Sequence, residues 1–155
     1  MMDRVHGCFQ EWTGRPAEVV QEIDCHHNYT EKERHFGTSM WLSRKGAIAA
    51  HRGQLGLIPG SMGAASYVVA GKGNRLALFS SPHGAGRNYS RRAARATFNR
   101  GDLDQRMSGI AWGNSGAFLD EHPDAYKDID VVMADAADLV EVRATLHQIV
   151  NVKGD

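Results

Sequence analysis

Cysteine and proline are scarce in this chain, with two of the first (Cys8 and Cys25) and four of the second among 155 residues. Two cysteines cannot build a disulfide framework, which points to a reducing compartment and makes the cytoplasm the expected location. Long apolar runs are missing too: no stretch approaches the roughly 20 residues that span a bilayer, and Met1-Met2-Asp3-Arg4 leads into no signal-peptide core. Charge of one sign is also absent, since Lys plus Arg and Asp plus Glu both number 18. Overall charge therefore makes no case for nucleic acid or membrane, and any basic patch has to be local. Repeats, low-complexity tracts and linker-like shifts are lacking, so one continuous unit over residues 1–155 is expected.

What the chain does have is apolar residues, at 42%, and glycine, at 17 residues, well above the usual ~7%. The apolar fraction is enough for a core, and the glycines imply tight turns and close backbone approaches. Periodicity predicts strands over 19–23, 40–43, 46–50, 55–58, 66–70 and 76–80, with 40–43 and 46–50 joined through Arg44-Lys45 as a hairpin. Residues 29–36, rich in charge, read as an exposed loop or helical turn. From Ser90 the pattern changes to alanine-rich helix through Phe98, while 120–123 is a break. Residues 125–133 fit either period, and 139–150 give a mixed signal. Strands first and helices later predict an α+β fold.

The densest chemistry is Pro82-His83-Gly84-Ala85-Gly86-Arg87. Glycines let backbone N–H groups approach an anion, and arginine presents a planar fork of donors that matches phosphate oxygens. An imidazole held there can shuttle protons, ligate metal or accept phosphate covalently, and spacing does not choose among these. The same composition also makes a plain glycine-rich turn. In Cys25-His26-His27-Asn28, adjacent side chains of an extended segment point to opposite faces, so Cys25 and His27 share one; two donors fall short of a metal site. Asn28 suits a cap or a ligand contact. Pro59-Gly60-Ser61-Met62-Gly63 has the makeup of a ligand-binding loop and equally of a tight turn. Gly71-Lys72-Gly73 and Gly84-Ala85-Gly86 complete no Walker or dinucleotide fingerprint. Arg87, Arg91 and Arg95 recur every fourth residue, with Arg92 and Arg100 nearby, so they form either a solvated helix face or a stripe for RNA backbone. Tyr126, Lys127, Asp128 and Asp130 read as surface and packing residues.

In order and spacing, Cys25-His26-His27-Asn28, Arg44-Lys45-Gly46-Ala47, Ile58-Pro59-Gly60-Ser61-Met62-Gly63, His83-Gly84-Ala85-Gly86-Arg87, Ala125-Tyr126-Lys127-Asp128-Ile129-Asp130 and Val152-Lys153-Gly154 resemble the C-terminal part of the RtcB family of RNA-splicing ligases. The resemblance implies GTP- and manganese-dependent joining of an RNA 3′-phosphate or 2′,3′-cyclic phosphate to a 5′-hydroxyl, on tRNA halves or broken RNA. It implies that His83 becomes guanylylated and that His27 is a metal ligand. It also implies that Asn28, Pro59, Gly60, Ser61, Met62, Ser66, Gly84, Ala85, Gly86 and Lys153 contact the guanylate. Arg87 and the arginine series would then be RNA or phosphate contacts.

The chain departs from the family in being much shorter. In RtcB proteins the N-terminal part carries the aspartate, cysteine and further histidines of a two-metal site, and Cys25 does not stand in that cysteine's motif. Pro82 replaces the cysteine or serine common before the nucleophile, which changes backbone hydrogen bonding more than chemistry. The resemblance thus implies that the chain needs the missing N-terminal half as a partner, and that surface normally covered is exposed. The alternative from another class is a non-catalytic RNA-binding remnant. A cyclic phosphodiesterase with paired histidines is disfavoured, because the chain lacks two His-x-Ser/Thr motifs.

Overall fold

The chain forms α1 (Met2–Thr13) and an irregular stretch, then strands β1 (Asn28–His35), β2 (Thr38–Lys45), β3 (Ala47–Ala49), β4 (Leu55–Pro59), β5 (Ser66–Gly71) and β6 (Ser80–Pro82). Helices α2 (Arg91–Thr97) and α3 (Arg100–Arg106) follow, then β7 (Ala111–Trp112), 3₁₀ turns at Gly116–Glu121 and Pro123–Ala125, α4 (Ile129–Asp135), β8 (Val140–Leu146) and β9 (Val150–Asn151). The coordinates are a computed structural model that describes residues 2–113 and 116–153, without the Ala117 side chain. The class is α+β, as the order of patterns predicts.

β4, β5 and β8 make an antiparallel sheet in the order β4-β5-β8. β4 and β5 fall where runs 55–58 and 66–70 place them, because each aims large apolar residues at one core. Ile58 and Val69 are almost wholly buried there with Ile48, Ala50, Ala85, Ile129, Ala136 and Val140. Burying an Ile or Val side chain of this size contributes roughly 1.5–3 kcal/mol. Gly56 lets Ile48 pack close, since a Cβ there would come within 2.7 Å of Ile48 Cδ1 and displace that side-chain end. A second cluster, Leu103, Met107 and Phe118, seats α3 against the first 3₁₀ turn.

Residues 29–36 are not a loop: β1 pairs along its whole length with β2, from Asn28↔Lys45 to His35↔Thr38. Its inner face is polar, which hides the strand period. Tyr29, Glu33 and His35 turn inward toward Arg44, whose side chain is 1% exposed. The Arg44 guanidinium donates to Tyr29 Oη and Glu31 at 3.0 Å, to Glu33, and to Leu78 O at 3.2 Å, and its Nε donates to Ser80 Oγ at 3.0 Å. Arg44 therefore sits inside β2 and is not a turn residue, and 40–43 and 46–50 form no hairpin with each other. β3 pairs instead with β6. The chain turns from β2 into β3 at Gly46, where φ is +71.

The β1–β2 loop consists of Phe36 and Gly37, with φ of 50 and 84. Two positive φ values in a two-residue loop are the type I′ geometry, which matches the strand twist and favours Asn-Gly. Phenylalanine at the first position costs roughly 1–2 kcal/mol of backbone strain.

Two other apolar runs are not strands. Residues 19–23 form no regular secondary structure, with Val20 90% exposed, and most of 76–80 is a turn. In that turn the Asn74 side chain accepts from the N–H groups of Leu76 and Ala77, and Leu78 and Phe79 both take positive φ. Local hydrogen bonding overrides the β preference of that run.

α2 starts where predicted, with Ser90 Oγ accepting from Ala93 N at 3.1 Å, and Asn99 and Asp128 cap α3 and α4 in the same way. The ambiguous 125–133 is α-helical only from Ile129, where α4 begins, and 139–150 holds β8 and the start of β9. α1 buries no residue, and Met2, Val5, Phe9 and Trp12, spaced on one helical face, are all exposed. No described helix is long and apolar enough to cross a membrane.

Candidate functional site

His83 follows β6 directly, and the β3–β6 pairing of Ala47 with Pro82 sets it beside Gly46. Gly46 links two motifs: its N–H donates to His27 O at 2.9 Å, and its carbonyl accepts from His83 N at 3.3 Å. That backbone clasp stacks the His27 and His83 rings, with centroids 4.7 Å apart and planes 13° from parallel. Among the described residues neither imidazole has a side-chain hydrogen-bond partner. Asn28 continues from His27 as the exposed first residue of β1. Cys25 packs partly buried against the core and remains a free thiol. His26 sets its ring edge-on to Tyr29, so the two adjacent histidines do diverge.

Beyond His83 the loop runs against Pro59. Ala85 N donates to Pro59 O at 3.1 Å, and a Cβ on Gly84 would stand 3.0 Å from that oxygen, a tight approach that favours glycine. Gly86 takes φ +73 and accepts from Lys127 N at 3.0 Å.

The loop holding Pro59, Gly60, Ser61 and Met62 is closed on itself by Gly60 N to Ala65 O at 3.0 Å and Ala64 N to Ser61 O at 3.1 Å. It is both a tight turn and a wall of a cleft. Gln148 Nε2 donates to Ser61 O and Ser66 Oγ, each at 3.2 Å, and Asn151 Nδ2 to Met62 O at 2.8 Å, which ties the C-terminal strand to the loop. Together these segments bound a cleft of about 340 Å³ with Lys153, Tyr126, Glu121 and Phe118 on its other sides. That volume lies within the range of small-molecule sites.

Acidic residues organise the cations here. Asp120, its side chain 4% exposed, accepts from Lys153 Nζ at 2.7 Å and pairs with Arg95 at 3.3 Å and Arg91 at 3.6 Å. Burial works to raise its pKa, but Lys153 and Arg95 outweigh that and hold the carboxyl below its ordinary range. Arg87 bonds Glu121 at 3.2 Å, Tyr126 Oη at 2.9 Å and the Asp120 carbonyl, and Tyr126 donates to Glu121. Burial, then the adjacent Glu121 carboxylate, pushes the Tyr126 phenol up to about 12, so it stays a proton donor. The arginines expected as one helical series do converge, but Arg87 precedes α2, and all three are engaged with Asp120 or Glu121.

The structure thus brings Pro59, Gly60, Ser61, Met62 and Lys153 into one cleft, with Ser66 hydrogen-bonded behind it. It places His83, His27 and Asn28 outside the lining, joined to the cleft through Gly84 and Ala85. Gly154, of the last motif, lies outside the described residues. Asp120, Glu121, Gln148 and Asn151 were not legible in the sequence, where the acidic pair reads as part of a break. Among the described residues no three His, Cys, Asp or Glu side chains gather closely enough to hold a metal ion, so His27 alone does not make a manganese site.

The family model described as tRNA-splicing ligase RtcB matches residues 1–154. The chain is 45% identical over 159 residues to the RNA-splicing ligase RtcB of Escherichia coli K12, covering 99% of this chain and 39% of that protein. It is 50% identical over 136 residues to RNA-splicing ligase RtcB1 of another Escherichia coli strain, covering 88% of this chain and 33% of that one. With the RNA-splicing ligase RtcB of Mycobacterium tuberculosis the identity is 36% over 146 residues, covering 81% and 33%. The chain spans between a third and two fifths of the length of these relatives.

Proposed function

Since the chain belongs to the RtcB family of tRNA-splicing ligases, we propose that it is the guanylate-accepting portion of an RNA ligase, with His83 as nucleophile. The observation that supports this most is the stacked His27–His83 pair, its ring nitrogens unpartnered among the described residues, fastened through Gly84 and Ala85 to the cleft walled by Pro59, Gly60, Ser61 and Met62. A ring nitrogen of His83 attacks the α-phosphorus of GTP. The bond to the bridging oxygen breaks, pyrophosphate leaves, and the imidazole proton passes to solvent. The guanylyl group then moves to an RNA 3′-phosphate and frees His83, and a 5′-hydroxyl oxygen displaces GMP to form the new phosphodiester. The first transfer turns the poor leaving group on the RNA end into a good one.

Lys153, held 2.7 Å from Asp120 at the cleft edge, is placed to offer positive charge to a bound nucleotide, and Gly84, Ala85 and Gly86 lie next to the reacting nitrogen. Manganese would neutralise phosphate charge. His27 supplies only one nitrogen toward it, so the described residues do not by themselves make a complete ion site. The remaining donors would come from the part of an RtcB chain that this one does not span, and that part is the expected protein partner.

A second reading, a non-catalytic RNA-binding remnant of the family, draws on that same shortage of metal donors. Incubation with α-labelled GTP and Mn²⁺, with and without the remaining RtcB segment as a separate polypeptide, separates the two. An acid-labile label on the chain that His83→Ala abolishes supports the ligase. RNA binding with no label under either condition supports the remnant.

A further inference from the structure

The Phe36-Gly37 tip of the β1–β2 hairpin presents an aromatic ring in a backbone conformation that disfavours it. Phe36 is 59% exposed at φ 50, so neither burial nor turn preference accounts for its presence. Strain kept at an exposed residue is a pointer to ligand contact. Two arginines flank the ring. The Arg75 guanidinium carbon lies 5.8 Å from the Phe36 ring centroid, and Arg34 stands exposed two residues before it. Among the described residues neither arginine is in an ion pair or side-chain hydrogen bond, unlike Arg44, Arg87, Arg91 and Arg95. With His35 and Phe79, whose rings are 5.3 Å apart, these residues line a pocket of about 330 Å³.

We propose that this pocket is a nucleotide subsite for single-stranded RNA, in which a base stacks on Phe36 and the flanking phosphates are held by Arg34 and Arg75. A flat exposed ring beside two unpaired guanidinium groups matches a splayed-out base between phosphates. It does not match a duplex, whose bases are stacked away, nor an acidic peptide, which has no use for the ring. The subsite lies on the frame that delivers the histidine: Phe79 adjoins β6, and β6 leads directly into His83. The inference rests on the reading of RNA as substrate and adds where the strand body is held.

The test is fluorescence anisotropy with the full chain and a fluorescein-labelled single-stranded RNA of about a dozen nucleotides, a length near that of single-strand sites. Phe36→Asn creates Asn-Gly, the sequence type I′ loops favour, and so removes the ring while keeping the hairpin. It should weaken binding about tenfold, within the range set by loss of one base–aromatic stack, and leave an abasic strand unaffected. Arg34→Ala with Arg75→Ala should lower the slope of log affinity against log salt by roughly 0.7 per arginine. Arg143→Ala, on β8, serves as the control, and thermal melts verify that each variant is folded. Wild-type affinity in both patch variants overturns the subsite. So does a Phe36→Asn loss that is equal on abasic or duplex RNA, or preferential binding of an acidic peptide at the pocket. GTP labelling separates the two proposals. A patch that behaves as described in a chain that takes no label strikes the ligase reading alone, and normal labelling with unaltered RNA binding in the patch variants strikes the subsite alone.

Discussion

Arg44 on β2 donates its Nε to Ser80 Oγ at 3.0 Å, and so the same buried guanidinium that closes the β1–β2 sheet also fixes the strand from which His83 emerges. Removing it leaves Glu33, bonded to both Arg44 and His35, without its main cation in a nearly dry setting. Arg44→Ala should cost about 3–5 kcal/mol, the scale for breaking a buried ion pair from one side. Urea unfolding checks this, and Arg44→Lys should recover less than half, because an ammonium cannot reach all the acceptors of the planar fork. A loss below 1 kcal/mol would show that the network is incidental.

Acid stability follows from Glu33. Burial works to raise its pKa, but hydrogen bonds from Arg44 and its neighbours win and bring it from 4.5 to about 2. The folded state therefore binds fewer protons than the unfolded one, and the stabilisation is full above pH 4.5 and lost as pH falls toward 2. His122, wholly enclosed against Phe98, has its pKa lowered by burial and adds a loss of the same sign that begins as pH drops below 6.5. Urea midpoints measured between pH 8 and 3 should fall in two stages. Glu33→Gln should flatten the lower one and leave the upper one in place.

Phe36→Asn should raise stability by about 1 kcal/mol or less, since it relieves a left-handed backbone at an exposed loop. A melting temperature below that of the natural chain would mean that the ring contributes packing that its exposure conceals.

Asp120→Asn should loosen the C-terminal segment. Lys153, Arg91 and Arg95 would lose one shared carboxylate, at a cost of about 1.5–3 kcal/mol for the charged hydrogen bonds. Limited proteolysis should then cut near Lys153 sooner than in the natural chain. An unchanged cleavage rate would show that the other contacts, among them Gln148, Asn151 and the β7–β9 pairing, suffice to retain the segment.

The bare face of α1 should bind an environment-sensitive apolar dye or drive self-association, and Phe9→Ser with Trp12→Glu should suppress both. Dye binding unaltered by those changes would locate the apolar surface elsewhere, for example at residues 19–23.

How much of this was readable without coordinates depended on where each residue finds its partners. Ile58 and Val69 announce β4 and β5 because apolar residues at sheet spacing need only a core to face. β1 could not be read that way: Tyr29, Glu33 and His35 are satisfied by Arg44 from the neighbouring strand, and charge in sequence looks like solvent exposure until that partner arrives. The run from Leu76 to Ser80 misled in the opposite direction, since Asn74 supplies local hydrogen bonds that no hydropathy pattern contains. α1 does carry a helical signal, with Met2, Val5, Phe9 and Trp12 recurring on one face, but that face is exposed and no core marks it. α3 was missed because its interior is held by Leu103 alone. In the site, glycine and histidine motifs are written locally and were visible, whereas the stacking of His27 on His83 depends on Gly46 joining both backbones and is written nowhere in the sequence. Apart from the Tyr126 bond to Glu121, the contacts of Asp120, Glu121, Gln148 and Asn151 in the site reach across about 25 to 90 positions of chain, so little near them in sequence marks their role.

The absence of a Cβ at position 84 sets how far the histidine loop can be altered. Alanine there would press on the Pro59 carbonyl and push the two loops apart, shifting the imidazole relative to the cleft without touching either directly. Position 86, with open space around it and only its positive φ to satisfy, should accept asparagine. A library varied at both sites and sorted for nucleotide capture should enrich glycine at the first, with alanine below it and larger residues absent, and return a short list of turn formers at the second.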